Sequence, residues 1–519
     1  MDLLDGLNKQ QREAAETVEG PLLIIAGPGS GKTRVITHRI AYLVRVCGVL
    51  PYRITAMTFT NKAAREMKER LFGKSDQDPA APLLRDYWDK QQDFTVSTFH
   101  AFCASILRRE GHHIGLDRSY TIYDDEDQID LLKRSMEEVS VDPKHFAPRA
   151  ILSAISGAKS QLIDAQGFAM KRQSYFDEIV HRVYERYQDL LSQSQALDFD
   201  DLLLKTHLLF DGTPDVLQKY QSRYAYLLID EFQDTNVAQY AIARQLAQKH
   251  GNICVVGDPD QSIYSWRNAD IRNILSFQND YPHAKVVTLE ENYRSTKTIL
   301  EAARHLIALN RQRVEKNLWT NNGRGRPIVI SEAYNEEDEA QFVIRETEQL
   351  VERDGYPRGD IAVMYRINAQ SRALEEACLR YGVPYQLVGG TKFYQRREVK
   401  DVIAYLRLIV NPHDDVSLAR IINIPPRGIG QRTVDNLARW ARETKGTLFS
   451  AIETLTSQPQ EGEGSTAPFP SRTSRALVSF DGLIQALTKE SDELEVVKLI
   501  EEVLERTGYG RHIRDGTKE

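Results

Sequence analysis

Apolar positions along this chain fall into two alternating kinds of text. Short unbroken apolar runs stand at LLIIA (22–26), ITAMTF (54–59), DFTVSTF (93–99), YAYLLID (224–230) and ICVVG (253–257). Runs of that length predict strands buried on both faces, and the text between them has helical spacing. A short helix is expected over 9–19, a second from Gly31 through Leu43, and a third at AAREMKERLF behind the second strand. Strands alternating with helices predict an α/β fold built on a parallel sheet with helices on both faces.

Between Cys103 and about Leu197 the strand signal stops, and IDLLKRSMEEV and FDEIVHRVYERYQDLL carry helical periodicity and charge. That stretch is expected to be a helical insertion. A second α/β pattern is expected from about residue 285, with strands at AKVVTL, RPIVISEA and DIAVMYRI. From about 390 the text turns helical again, in DVIAYLRLI, SLARIINI and TVDNLARWA. SQPQEGEGSTAPFPSRT at 457–473 is too polar to bury much apolar surface and is expected to be a loop.

Composition narrows the class. With 519 residues, 41% of them hydrophobic, the chain can build several cores. The 67 Lys and Arg against 74 Asp and Glu give a net charge of −7, which argues against a surface coated in positive charge. Nucleic-acid binding stays open, because a motor can confine cations and aromatics to one groove. Cys47, Cys103, Cys254 and Cys378 form no C-x-x-C pair, so neither a disulfide framework nor a zinc site is expected. The polar N-terminus MDLLDGLNKQ is unlike a signal peptide, and the apolar run Pro21–Ala26 is far too short to cross a bilayer. A cytoplasmic protein without membrane contact is expected.

The chemistry begins at AGPGSGKT, which follows a predicted strand and opens a helix. Ala26, Gly27, Pro28, Gly29, Ser30 and Gly31 form a turn whose backbone amides can surround phosphates, helped by the positive helix N-terminus. Lys32 is placed to neutralise the β and γ phosphates of ATP, and Thr33 to offer a hydroxyl to Mg²⁺. Ala26 stands where the strict pattern has glycine. LLIDEFQD at 227–234 supplies the other half: Asp230 to hold the metal and Glu231 to orient water. An Asp-Glu pair by itself is usually a solvated strand end. Beside a phosphate loop in one sheet it becomes a catalytic pair, and the two motifs together predict a nucleotide hydrolase.

LNKQQREA, AGPGSGKT, TFTNKAA, STFHAF, LLIDEFQDTN, VVGDPDQSIYSWRNAD and LEENYRS occur in the order and spacing of UvrD/Rep/PcrA-type superfamily 1A DNA helicases, which the whole chain resembles. The resemblance implies P-loop NTPase, RecA-like sheet domains with helical insertion subdomains. It implies a first motor domain at 1–103 and 198–280, an insertion at 104–197, part of a second motor domain at 281–387 and a further insertion at 388–519. At the nucleotide, it implies that Gln11 reads adenine, that Tyr293 stacks on the base and that Arg34 and Arg39 lie nearby. Gln261 and Arg294 would sense the γ-phosphate. For DNA it implies contacts from Phe59, Asn61, His100, Phe199, Tyr264, Trp266 and Arg267, with Arg366 and Asn368 from the second domain. A lone Phe such as Phe59 or Phe199 is more often core, whereas Tyr264 and Trp266 stand among polar residues. RGIG at 427–430 resembles a hairpin that touches duplex backbone.

The implied activity is ATP-dependent 3′→5′ movement along single-stranded DNA and through single-strand/duplex junctions, by a monomer or weak dimer serving repair or replication proteins. The family's later T-x-H-x-x-K-G-like segment and second γ-phosphate arginine do not occur in these 519 residues. The second motor domain is therefore expected to be incomplete, and this polypeptide to bind nucleotide weakly and unwind little by itself. Two alternatives stay open: the motor subunit of a helicase–nuclease, and a non-catalytic DNA-binding fragment completed by a partner. A P-loop kinase for a small metabolite explains neither Tyr264 and Trp266 nor the second α/β pattern.

Overall fold

The computed structural model describes residues 3–73, 83–87, 93–310, 313–388, 396–444, 446–457 and 469–516; most of the loop expected at 457–473 lies outside them. Two compact units form, one from Met1–Gly325 with Ala404–Glu519 and the other from Arg326–Ile403.

Eight strands form among the described residues of the first unit: β1 (Leu22–Ala26), β2 (Ile54–Thr58), β3 (Thr95–Thr98), β4 (Thr121–Ile122), β5 (Ala196–Leu197), β6 (Tyr226–Ile229), β7 (Ile253–Gly257) and β8 (Lys285–Leu289). Six of them make one parallel sheet in the order β3-β2-β6-β7-β1-β8. The unbroken apolar runs are explained by the two faces. Leu22, Ile24 and Ala26 enter one core with Val35, Ile36 and Ile40, while Leu23 and Ile25 enter the other with Phe99, Phe102 and Leu203. Period two is present inside each strand, but both of its phases are apolar because both faces are covered.

Helices supply the covers. The first four are α1 (Lys9–Glu16), α2 (Lys32–Arg45), α3 (Asn61–Phe72) and α4 (Phe99–Glu110). The insertion contributes α5 (Asp125–Glu138), α6 (Pro148–Ser160), α7 (Ala165–Lys171) and α8 (Tyr175–Gln193), after which α9 (Phe199–Gly212) returns to the sheet. The insertion has its own core, around Leu132, Ile151, Ile155, Val183 and Tyr187. Two short strands also form there: β4 and β5 pair in parallel at the insertion's two ends. Lys159 of α6 is fully buried, 2.7 Å from Asp198 and 2.9 Å from Asp201. Burial alone would lower its pKa, but the two carboxylates outweigh it and hold the ammonium charged.

Residues 404–516 form a helical bundle around Tyr405, Leu408, Leu437, Phe480 and Ile484. Polar contacts join it to the insertion: Tyr123 Oη donates to Asp414 at 2.7 Å, Arg407 to Asp127 at 2.7 Å and Arg134 to Asp415 at 2.8 Å.

The expectation of a second α/β pattern needs correction. AKVVTL does form a strand, but β8 pairs with β1 on the edge of the first sheet, Leu22 beside Lys285 and Ala26 beside Leu289. RPIVISEA and DIAVMYRI form no strand. In their unit the helices Glu336–Glu352 and Ser371–Tyr381 pack through a small core of Ala340, Ile344, Ala377 and Val383. Val329, Ile330 and Met364 stay exposed.

Candidate functional site

A parallel sheet leaves its carboxyl edge open where neighbouring strands feed loops in different directions, and ligands collect there. Here that edge carries the turn after β1, Asp230 after β6, Gln261 beyond β7 and Asn292–Arg294 beyond β8.

The turn after β1 needs its glycines. Gly29 (φ +64°) and Gly31 (φ +86°) are left-handed, and a Cβ on Gly29 would stand 2.7 Å from Arg294 Cβ and 2.8 Å from Asn292 Nδ2. Asn292 Nδ2 donates to the Pro28 carbonyl at 2.6 Å, the Tyr293 amide to Gly29 at 2.9 Å and the Gly27 amide to Leu289 at 3.0 Å. Ser30 Oγ closes the turn on the Gly27 carbonyl at 2.7 Å. Gly31 brings no side-chain cap to α2, so the positive helix end is presented with Lys32 and Thr33.

Around this turn lies a cavity of about 300 Å³ whose walls include Lys32, Thr33, Arg34, Arg70, Glu231, Gln261, Tyr293 and Arg294. Lys32 Nζ is 2.9 Å from Glu231 Oε2 and 3.4 Å from Gln261 Oε1. Thr33 Oγ1 donates to Asp230 Oδ2 at 3.4 Å. Burial, then the neighbouring Glu231 charge, raises the Asp230 carboxyl to about 6. The same two causes raise Asp234 to about 6. Glu231 has a left-handed backbone (φ +50°), an unfavourable conformation for a residue with a Cβ and one that clusters at functional sites. Among the described residues no group of three or more His, Cys, Asp or Glu is arranged to hold a metal, and no helix is long and apolar enough to cross a membrane.

The expected nucleotide residues divide. Arg34, Tyr293 and Arg294 line the cavity with the turn. Gln11 and Arg39 do not line it. Gln11 is buried; its Nε2 donates to the Ser30 carbonyl at 2.9 Å and its Oε1 accepts from the Asn8 amide at 3.1 Å. Arg39, also buried, donates to the carbonyls of Ala14, Thr17 and Val18, and so ties α2 to the end of α1. Three participants had no sequence signal that singled them out: Arg70 on the cavity wall, Asn292 gripping the turn, and Gln233. Gln233 donates to Glu231 Oε2 at 2.9 Å and accepts from the Asp258 amide at 2.9 Å.

A second feature is aromatic. Phe59 and Tyr264 have ring centroids 4.7 Å apart, and Trp266 follows 6.1 Å from Tyr264. Trp266 is 65% exposed, with the Arg267 guanidinium 4.6 Å from its ring centroid. His100 meets Phe199 edge-on at 6.0 Å, and Phe199 is 43% exposed. Burial lowers the His100 pKa to about 4, so its ring is neutral at pH 7. Asn61 opens α3 and is exposed. Arg366 and Asn368 lie exposed in the second unit. Arg427 of the 427–430 turn points inward, donating to the Ile421 carbonyl at 3.0 Å and to Tyr405 Oη at 2.6 Å.

Comparison with known proteins bears on both features. Residues 7–282 match the family described as UvrD/REP helicase N-terminal domain, and residues 287–463 the UvrD-like helicase C-terminal domain. The chain is similar to the ATP-dependent DNA helicase PcrA of Bacillus subtilis (strain 168), at 48% identity over 507 residues. The PcrA proteins of Staphylococcus aureus (strain Mu50) and Staphylococcus epidermidis are 46% and 44% identical. In each case the match covers 98% of this chain and 66% of the relative.

Proposed function

This chain belongs to the UvrD/REP helicase family, and from that premise we propose that it is an ATP-driven motor that moves 3′→5′ along single-stranded DNA and opens duplex at junctions. The observation that carries the reading is the convergence of Lys32, Thr33, Glu231 and Gln261 on one cavity at the carboxyl edge of the sheet, with Asp230 hydrogen-bonded to Thr33.

Each residue then has a task. The turn amides and Lys32 hold the phosphates. The adjoining hydroxyl and carboxylate of Thr33 and Asp230 suit a small hard cation, and they would hold Mg²⁺. That ion supplies charge neutralisation on the phosphates when bound. Glu231 orients water for attack and accepts its proton. Tyr293 and Arg34 flank the base, and Arg294 senses the γ-phosphate. Gln11 reads the adenine edge and Arg39 lies near the nucleotide, while their own hydrogen bonds fix the turn and α1. On the other side Phe59, Tyr264, Trp266, His100 and Phe199 offer ring faces to bases without sequence preference, each stack contributing about 1–3 kcal/mol. Asn61, Arg267, Arg366 and Asn368 contact the strand's backbone.

In this reading, 1–103 with 198–280 is the first motor domain, to whose sheet β8 is added, and the rest of 281–387 belongs to a second, while 104–197 and 388–519 are helical insertions. The motor works in the cytoplasm on repair or replication intermediates, as a monomer or weak dimer.

The test is ATP hydrolysis with and without single-stranded DNA, beside Lys32→Ala. Any DNA-stimulated turnover should fall ~100-fold or more in the variant, the scale of losing one preorganised charge contact, while nucleotide and DNA binding without turnover would mark this polypeptide as an impaired part of the motor. Turnover indifferent to both Lys32 and DNA would sink the reading.

A further inference from the structure

A glutamine side chain offers a donor at one end and an acceptor at the other, and which end faces a reaction decides what it can do. At Gln261 the surroundings leave no choice. Its Nε2 donates to Asp258 Oδ2 at 2.5 Å, and an ionised carboxylate can only accept. Oε1 therefore faces the cavity, 3.4 Å from Lys32 Nζ.

Asp258 is itself held. It is fully buried, and its Oδ1 accepts from the Lys316 ammonium and from the Asp260 amide at 3.1 Å. Lys316, also fully buried on its side chain, has a second partner in Asp260 Oδ2 at 3.1 Å. Asp260 in turn accepts from Arg313 at 3.3 Å. The two oxygens of Asp258 are thus divided: one serves Lys316, the other Gln261.

Resting on the motor reading above, we propose that Asp258, anchored by Lys316, is a positioning residue that keeps the Gln261 carbonyl turned toward the lytic water. Glu231 Oε2 and Gln261 Oε1 both lie close to Lys32 Nζ, at 2.9 and 3.4 Å. A water between these oxygens donates one hydrogen to each, which aims its lone pair at the γ-phosphorus. As its oxygen bonds to phosphorus, one proton passes to Glu231 and the bond to the ADP oxygen breaks. Gln261 accepts a hydrogen bond throughout and takes no proton. Gln233 orients Glu231 in the same way, through its 2.9 Å bond to Oε2.

Asp258→Asn tests this with almost no change of shape. Lys316 and the Asp260 amide are donors, so the oxygen of the substituted side chain stays with them and its NH₂ turns to Gln261. The Gln261 amide must then flip, and it presents N–H where it had presented oxygen. The measurement is the affinity of the full chain for Mg·ADP with and without aluminium fluoride, which mimics the transferring phosphoryl group and traps the water. Wild type is expected to bind the fluoride complex at least ~10-fold tighter than Mg·ADP. Asp258→Asn and Gln261→Ala should both abolish that gain and show no further loss when combined, and Asp258→Asn should leave Mg·ADP affinity within about twofold. Should Asp258→Asn lose its cooperative thermal melt, Gln261→Ala carries the test alone.

Retention of the fluoride gain in a folded Asp258→Asn protein overturns the proposal. So does a wild type that binds Mg·ADP through Lys32 but gains nothing from fluoride. Mg·ADP binding that ignores Lys32→Ala overturns the motor reading itself, and so separates the two failures.

Discussion

Three stretches of this chain carry strand-like apolar text, and they reach different ends. LLIIA at 22–26 becomes β1, hydrogen-bonded to β7 on one side and β8 on the other, with every residue buried. RPIVISEA at 326–333 and DIAVMYRI at 360–367 are equally strand-like, yet Ile330 is 94% exposed and Met364 93%. The difference lies outside the segments. A strand's backbone groups are satisfied only by a neighbour, and its side chains need a cover on each face. β1 has both. The other two segments have neither among the described residues, and their unit's core amounts to four buried residues. Apolar alternation reports that a segment is competent to be a strand; pairing is a separate, non-local fact.

The widest separation should appear in amide hydrogen exchange. Amides of β1 and β7 are expected to exchange only through near-global opening, several orders of magnitude more slowly than those of 328–333 and 361–366. Comparable protection in both sets would show that the second pair of segments finds partners in solution, and the contrast would vanish. Side-chain truncation should give a smaller but still clear split. Ile24 is fully buried between β1's neighbours and α2, so Ile24→Ala should cost about 2–5 kcal/mol in chemical denaturation. Ile330→Ala, at an exposed site, should stay within about 0.5 kcal/mol. Equal losses would place Ile330 in a core.

The same distinction explains how much was legible in the sequence. The five strands expected before residue 260 all form, because in each the apolar run, its length and its bounding turns agree. The glycine turn was legible too: its conformation is local, written in AGPGSGKT by glycines that a tight turn requires. AKVVTL was read as a strand but assigned to the wrong sheet, since nothing in six residues says which edge they will join. The less visible members of the site failed for a related reason. Arg70 is one cation among several on α3, and its place on the cavity wall follows from how α3 packs. Arg39, expected near the nucleotide, is held by the carbonyls of Ala14, Thr17 and Val18, a set of partners that only the packing of α2 on α1 reveals. Lys316 lies 58 residues from Asp258, and only the fold makes them a pair.

The smallest expected effect concerns protons, and it bears only on the well-paired region. His100, at the start of α4, is held neutral by burial, its pKa lowered to about 4 from an ordinary 6.5. Below pH 6.5 the unfolded chain takes up a proton there that the folded chain refuses until about pH 4. The unfolded state then binds more protons, so stability falls as the pH drops through that window. The stability is fully present above pH 6.5. His100→Gln removes the titration, so wild type and variant should differ in melting temperature by one amount at pH 7.5 and 8.5. Between pH 6.5 and 4.5 the difference should move progressively in the variant's favour, by a few degrees at most. A difference that stays constant across pH 4.5–8.5 would mean that His100 titrates alike in both states. Exchange at 328–333 should not respond to the substitution, because those amides open without unfolding the first sheet.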